Sequence, residues 1–209
     1  MIIRNYPGGI ASTNNYLVSD ENGAGIIVDA GYYSPALVEA AKSEGLKVEL
    51  LMLTHGHNDH IAGVEAYLKA FKGCRVVIGE DEIPIVTDPF LNLSIEFQGK
   101  EIALEADLYV KDGDRLTVGD LDISIISTPG HTPGGVSILV NGALFSGDTL
   151  FQNSIGRTDL YGGNYETLAA SIIDKLFLLP DETVVYPGHM GITTIGHERR
   201  HNPFLWRRA

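Results

Sequence analysis

Residues 54–60 read THGHNDH, three histidines and an aspartate within seven positions. Imidazole and carboxylate are ligands suited to Zn²⁺, Fe²⁺ or Mn²⁺. His55 and His57 stand two apart, so in an extended or turn conformation both can face one ion. Asp59 and His60 open the next element and can point toward a second ion. Gly56 and Asn58 permit a tight turn between them. Burying three imidazoles and a carboxylate without an ion would leave several polar groups unpaired, at about 1–3 kcal/mol each. The stretch therefore reads as metal-binding. Two cations a few ångströms apart, sharing a hydroxide, are a device for hydrolysis.

Such a cluster needs elements that carry distant residues to it. Five of the seven histidines follow predicted strands: His55, His57, His60, His131 and His189. The apolar run at 48–53 leads into THGHNDH. The strand expected at 121–127 leads into Thr128-Pro129-Gly130-His131. That at 143–146 leads into Gly147-Asp148, and that at 183–186 into Pro187-Gly188-His189. The C-terminal ends of strands are where open α/β folds gather ligands. If these ends converge, the imidazoles meet two or more carboxylates, and Asp148 can bridge two ions with its two oxygens. His197 and His201 read as surface or tail residues, and Thr54, Ser127 and Thr132 as local hydrogen-bonders to turns.

Further strands are expected at 16–19, 25–29, 75–78, 116–118 and 136–140. Helical patterns cover 35–44, opened by Pro35 and closed by Gly45, then 61–71, 165–177 and 193–201. Residues 80–99 read as a short helix and loop lining the approach to the site. A strand group, a metal-type motif and a helix occur before residue 75 and again after 115. The economical layout is one α/β domain over residues 1–209, with two packed sheets and helices outside.

The formal net charge is −12 and the sequence pI about 4.9. An acidic surface repels phosphate backbones, so nucleic acid is not an expected partner. The dense basic cluster is Arg199, Arg200, Arg207 and Arg208. Cys74 is the single cysteine, which excludes an internal disulfide and a four-cysteine zinc site; it reads as an inert core residue. No apolar stretch is long enough to span a bilayer, and the start MIIRNYPGG lacks the pattern of a signal peptide. The expectation is a cytoplasmic protein acting on a small molecule, away from membranes.

THGHNDH, together with TPGHTPG at 128–134, SGDTLF at 146–151 and YPGH at 186–189, resembles the metallo-β-lactamase fold superfamily. Within it the chain is similar to the glyoxalase II-like (hydroxyacylglutathione hydrolase-like) enzymes, in their short single-domain bacterial form. Thr193, Gly196, Glu198-Arg199 and Asn202-Pro203-Phe204 fit that form as well. The resemblance implies an αββα sandwich, two mixed β-sheets packed face to face with helices on the outside. It implies two divalent ions, Zn²⁺ first with Fe or Mn as alternatives. His55, His57 and His131 would hold one ion, Asp59, His60 and His189 the other, and Asp148 would bridge them. Asp29 would support ligand histidines by hydrogen bonding. The implied chemistry is attack by a metal-bound hydroxide on a thioester such as S-lactoylglutathione, with Asp59 orienting the hydroxide or taking its proton.

The chain also departs from that pattern. Longer glyoxalase II enzymes hold glutathione with a C-terminal helical domain, and this sequence ends at Ala209. Gly135 stands where a second histidine is usual. Met190-Gly191 replace an acid and a tyrosine, and Asp159 replaces an aromatic. Arg157 keeps a positive charge in Gly156-Arg157-Thr158-Asp159; it either binds a substrate carboxylate through its planar fork or pairs internally with Asp159. The same loop resembles persulfide dioxygenases, which bind a single iron. That oxidoreductase, and a lactonase of the same fold, are the alternatives to a thioesterase.

Overall fold

Strands of the first half build one six-stranded sheet and strands of the second half another. The computed structural model describes residues 1–205; Arg207 and Arg208 of the expected basic cluster lie outside the described residues. The first sheet orders Ile2–Gly8 (β1), Thr13–Ser19 (β2), Ala24–Val28 (β3), Lys47–Met52 (β4), Arg75–Gly79 (β5) and Leu108–Val110 (β6) side by side. Pairing is antiparallel from β1 to β3 and parallel from β3 to β6. The second half supplies Arg115–Val118 (β7), Leu121–Ser127 (β8), Val136–Val140 (β9), Ala143–Gly147 (β10), the small hairpin Leu150–Phe151 (β11) and Ser154–Ile155 (β12), Val184–Pro187 (β13) and Thr193–Thr194 (β14). Its large sheet runs β14-β13-β10-β9-β8-β7, mixed through the parallel β10–β13 pair.

The period of two along each strand decides the layers. Tyr16, Val18, Ile26, Val28, Leu50 and Met52 point between the sheets, against Ile123, Ile125, Ile138, Val140 and Phe145. Their neighbours Leu17, Ile27 and Leu51 point the other way. They pack on the helices Pro35–Ser43 (α1) and Val64–Ala70 (α3), which precede and follow the short Asn58–Ile61 (α2). After Ile83–Val86 (α4) and Ser94–Gln98 (α5), the helices Tyr165–Asp174 (α6) and Ile195–His201 (α7) cover the outer face of the second sheet through Leu168, Ile172 and Ile195. The result is the αββα sandwich that the motifs imply. Three helix starts are capped locally: Ser34 accepts from Leu37 N with Pro35 at the first turn, Asn164 accepts from Thr167 N, and Thr194 from His197 N.

Several elements differ from the sequence reading, among them the unexpected β11–β12 hairpin and β14, whose Thr193–Thr194 were expected in the last helix. β1 was not expected; it carries Pro7 and is an edge strand, where proline is tolerated. The three-residue β6 is too short to announce itself. The helix expected at 61–71 is found as α3 from Val64, with α2 ending at Ile61; Gly63 between them packs directly on Tyr32, where a Cβ would lie 2.6 Å from the carbonyl carbon. Among the described residues no helix is long and apolar enough to cross a membrane. Cys74 is buried, and burial pushes its thiol up to about 12, the state of an unreactive core residue.

The sheets are stitched together at the end where the ligand residues gather. Tyr16 packs edge-on against Phe145 at 5.2 Å and donates its hydroxyl to the Pro187 carbonyl at 2.8 Å. That carbonyl also accepts from Asn14 Nδ2 at 2.9 Å. Removing the hydroxyl therefore does not orphan it. Tyr16→Phe is expected to cost only about 1 kcal/mol, read as a small fall in the urea midpoint at unchanged slope; a loss of several kcal/mol would show that Asn14 alone cannot satisfy Pro187.

Candidate metal centre

β4 delivers His55 and His57, the first turn of α2 delivers Asp59 and His60, and the β8–β9 loop delivers His131. Asp148 follows β10 and His189 follows β13. The structure brings all seven of these expected residues together. His131 Nε2 lies 2.9 Å from His57 Nδ1 and 3.3 Å from His55 Nε2. His60 Nε2 lies 3.3 Å from His189 Nε2, and Asp59 Oδ2 is 3.2 Å from the same His189 nitrogen. Asp148 stands between the two trios. Its Oδ1 is 3.3 Å from His60 Nε2, and its Oδ2 is 3.6 Å from His131 Nε2 and 3.4 Å from His189 Nε2. Three candidate ligand groups share this arrangement: His55–His57–His131, Asp59–His60–His189, and His55–His60–Asp148.

Hydrogen bonds behind the rings fix which nitrogen faces inward. His131 Nδ1 donates to the Arg157 carbonyl at 2.7 Å, which leaves the Nε2 lone pair for the cluster. His60 Nδ1 donates to Asp29 Oδ2 at 2.9 Å, with the same consequence. The Thr54 hydroxyl donates to Asp29 Oδ2 at 2.9 Å and accepts from His55 Nδ1 at 3.2 Å. Asp29 therefore orients one imidazole directly and another through Thr54. Its own backbone turns through the left-handed region, φ 59°, which aspartate tolerates better than most residues.

These residues fit a pair of divalent cations. Ligands about 2.0–2.1 Å from a tetrahedral ion stand about 3.3 Å apart, close to the spacings found here. Lone pairs aimed at one point repel unless a cation lies between them, and Asp148 Oδ1 is buried with no hydrogen-bond partner. The electrostatics agree. Burial, with His131 next, lowers His57 to about 3, so its ring is neutral. Burial works against charge on His60 and His189 too, but the carboxylates around them outweigh it. They hold His60 well above the imidazole range and His189 at about 9. The field of Asp29, Asp59 and Asp148 favours positive charge at this spot.

Sequence reasoning missed two supports. Glu82 is fully buried and accepts from Gly56 N at 2.7 Å and Gly134 N at 2.9 Å. It thereby clamps the turn between His55 and His57 to the turn after His131. Burial pushes its carboxyl up, against those hydrogen bonds. Nothing in the acidic run Glu80-Asp81-Glu82 singles it out. Thr54 was read as a local turn residue, and its link from Asp29 to His55 is long-range. His197 and His201 stay outside the cluster, His197 bonded to Asn153 Oδ1 at 2.8 Å.

A cavity of about 480 Å³ opens over the cluster, with His57, Asp59, His131, Asp148 and His189 in its floor. Leu93 and Phe97 from the 80–99 segment line it, as does Arg157. The Arg157 fork is engaged by Asp159, Nε to Oδ1 at 2.7 Å and the terminal nitrogen to Oδ2 at 2.8 Å, the internal pair weighed above.

Residues 8–189 match the family described as Metallo-beta-lactamase superfamily. The hydroxyacylglutathione hydrolase GloC of Haemophilus influenzae is 36% identical, over 92% of this chain and 92% of its own. The probable metallo-hydrolase YqgX of Bacillus subtilis is 38% identical, over 97% of this chain and 96% of its own. Among solved structures, BLEG-1 B3 metallo-beta-lactamase superposes with a TM-score of 0.91 at 40% identity, covering 98% of this chain and 99% of that one.

Asp29→Asn and Glu82→Gln each remove one anchor while keeping the residue's size. Each is expected to weaken zinc binding by about 10–100-fold, measured by competition with a chromophoric chelator. Wild-type affinity in both variants would show that neither anchor shapes the centre.

Proposed function

We propose that this chain, which belongs to the metallo-beta-lactamase superfamily, is a two-cation hydrolase that cleaves a thioester of the hydroxyacylglutathione type. The observation that carries the reading is the pair of ligand trios joined through Asp148 in the floor of one cavity. The similarity to GloC supports the thioester.

His55, His57 and His131 would hold one ion, Asp59, His60 and His189 the second, and Asp148 would touch both. Zinc is the first assignment; a related protein, TTHA1623, 32% identical, has been solved in a di-iron-bound form. Divalent cations so held supply Lewis acidity and acidify water toward neutral pH. The protein's own part is positioning. Asp29, Thr54 and the Arg157 carbonyl keep imidazole lone pairs aimed inward. Burial raises the Asp59 carboxyl, but His60 and the His189 hydrogen bond outweigh it and bring it below the usual range. Asp59 is therefore ionised, faces the cavity, and is suited to orient water by accepting its hydrogen bond. In the net reaction the water oxygen adds to the carbonyl carbon and the C–S bond breaks. An acid and a thiol are released. Among the described residues Ser154 is the one serine lining the cavity and no cysteine lines it.

The purified protein is expected to carry two metal equivalents, to hydrolyse S-lactoylglutathione, and to lose the activity to a chelator and regain it with zinc or iron. One iron per chain with oxygen uptake on a glutathione persulfide would favour the dioxygenase instead. Asp59→Asn is expected to lower kcat by about 100-fold or more, and a near-normal kcat in that variant would remove Asp59 from the chemistry.

A further inference from the structure

Given the thioesterase reading, we infer that the cavity over the cluster is a recognition site for an apolar acyl group, so that substrates are selected by hydrophobic bulk beside the scissile carbonyl and not by charge. Above the ligand residues its walls are Ile10, Leu93, Phe97, Phe151, Ile155 and Met190. They come from separate parts of the chain: the loop after β1, the α5 region, the β11–β12 hairpin and the residue after His189. Three of them face water with most of their surface, Ile10 at 58%, Phe97 at 54% and Met190 at 60%. Large apolar side chains grouped around a concave opening mark a ligand site.

Backbone conformation points the same way. Leu93 and Met190 both sit in the left-handed region, φ 68° and 66°, which bulky L residues rarely adopt. Both line the cavity. Strain of this kind persists where the surroundings impose it and clusters at ligand sites.

Charge recognition has little to work with. Among the described residues Arg157 is the one lysine or arginine lining the cavity, and its fork is filled by Asp159. Asp59 and Asp148 are the acids in the floor. Among the described residues no unpaired lysine or arginine lines the cavity to take the two carboxylates of a tripeptide thiol, so its far end extends toward solvent. The acyl arm meets the apolar wall.

The test uses the metal-loaded protein with acetyl, butanoyl and hexanoyl thioesters, each made on glutathione and on uncharged N-acetylcysteamine. kcat/KM is expected to rise about two- to fourfold per added methylene, with the two thiols within about fivefold of each other. Phe97→Ser and Ile10→Ser, at exposed positions that folding tolerates, are each expected to cut the hexanoyl-over-acetyl preference by about threefold or more. Hexanoate is expected to bind at least about tenfold more tightly than acetate by ligand-observed NMR, and Phe97→Ser to erase most of that difference. A flat or falling chain-length series with active enzyme, or a loss above about tenfold on removing the tripeptide, overturns the inference and leaves the thioesterase reading intact. If no thioester is cleaved, the thioesterase reading falls, and the hexanoate–acetate comparison decides the apolar site on its own: equal binding overturns it.

Discussion

The Asp29 carboxylate is the contact on which the centre depends. Asp29 directly follows β3, the strand at which pairing in the first sheet changes from antiparallel to parallel. It takes the Thr54 amide at 2.8 Å, the Thr54 hydroxyl at 2.9 Å and the His60 ring at 2.9 Å. One buried anion thus joins the end of β3 to the end of β4 and to α2, and it sets two imidazole tautomers at once. A buried carboxylate is costly unless paired and hydrogen-bonded; here every nearby donor is also a part of the site. The same bonds that solve its burial aim the ligands.

Around that anion the two sheets are held in register by contacts at their shared rim. Asn14 N donates to the Gly188 carbonyl and Val136 N to the Thr54 carbonyl, both at 2.8 Å. Glu82 ties the turn at Gly56 to the turn at Gly134. Close backbone approach finishes the assembly: a Cβ on Gly156 would lie 1.8 Å from the Asp148 carbonyl oxygen, so only glycine lets that loop pass behind the backbone of Asp148. The polypeptide rim, and not any one motif, brings residues as distant as His57 and His189 within one pocket.

Which parts of this were readable in the sequence follows from range. THGHNDH declares itself because its ligands are neighbours, and the strand ends before His131, Asp148 and His189 are marked by apolar runs that stop at glycine turns. The layer order follows from alternation in strands such as β2. Glu82 was not legible, since its meaning lies in two backbone amides 26 and 52 residues away. Thr54 was legible only as a turn residue for the same reason. Arg157 was legible as a charge, but the side chain closes on Asp159 and the backbone carbonyl serves His131. β1 was hidden by its proline and glycines, because a strand at a sheet edge need not obey the pattern of one inside it.

The fold also separates two tasks. The residues that gather around Asp148 sit at strand ends or in the first turn of a helix, where register and buried hydrogen bonds fix them. The cavity walls come from the loop carrying Ile10, the segment carrying Leu93 and Phe97, and the short β11–β12 hairpin. Loops tolerate change that a strand end cannot. A chain built this way can alter the shape and polarity of its walls while the cluster below keeps its spacing. The apolar character of those walls is therefore a property of this chain, carried by Ile10, Phe97 and Met190 and not by the ligand motif. That is why the motif specifies chemistry and leaves substrate choice to residues that no short pattern contains.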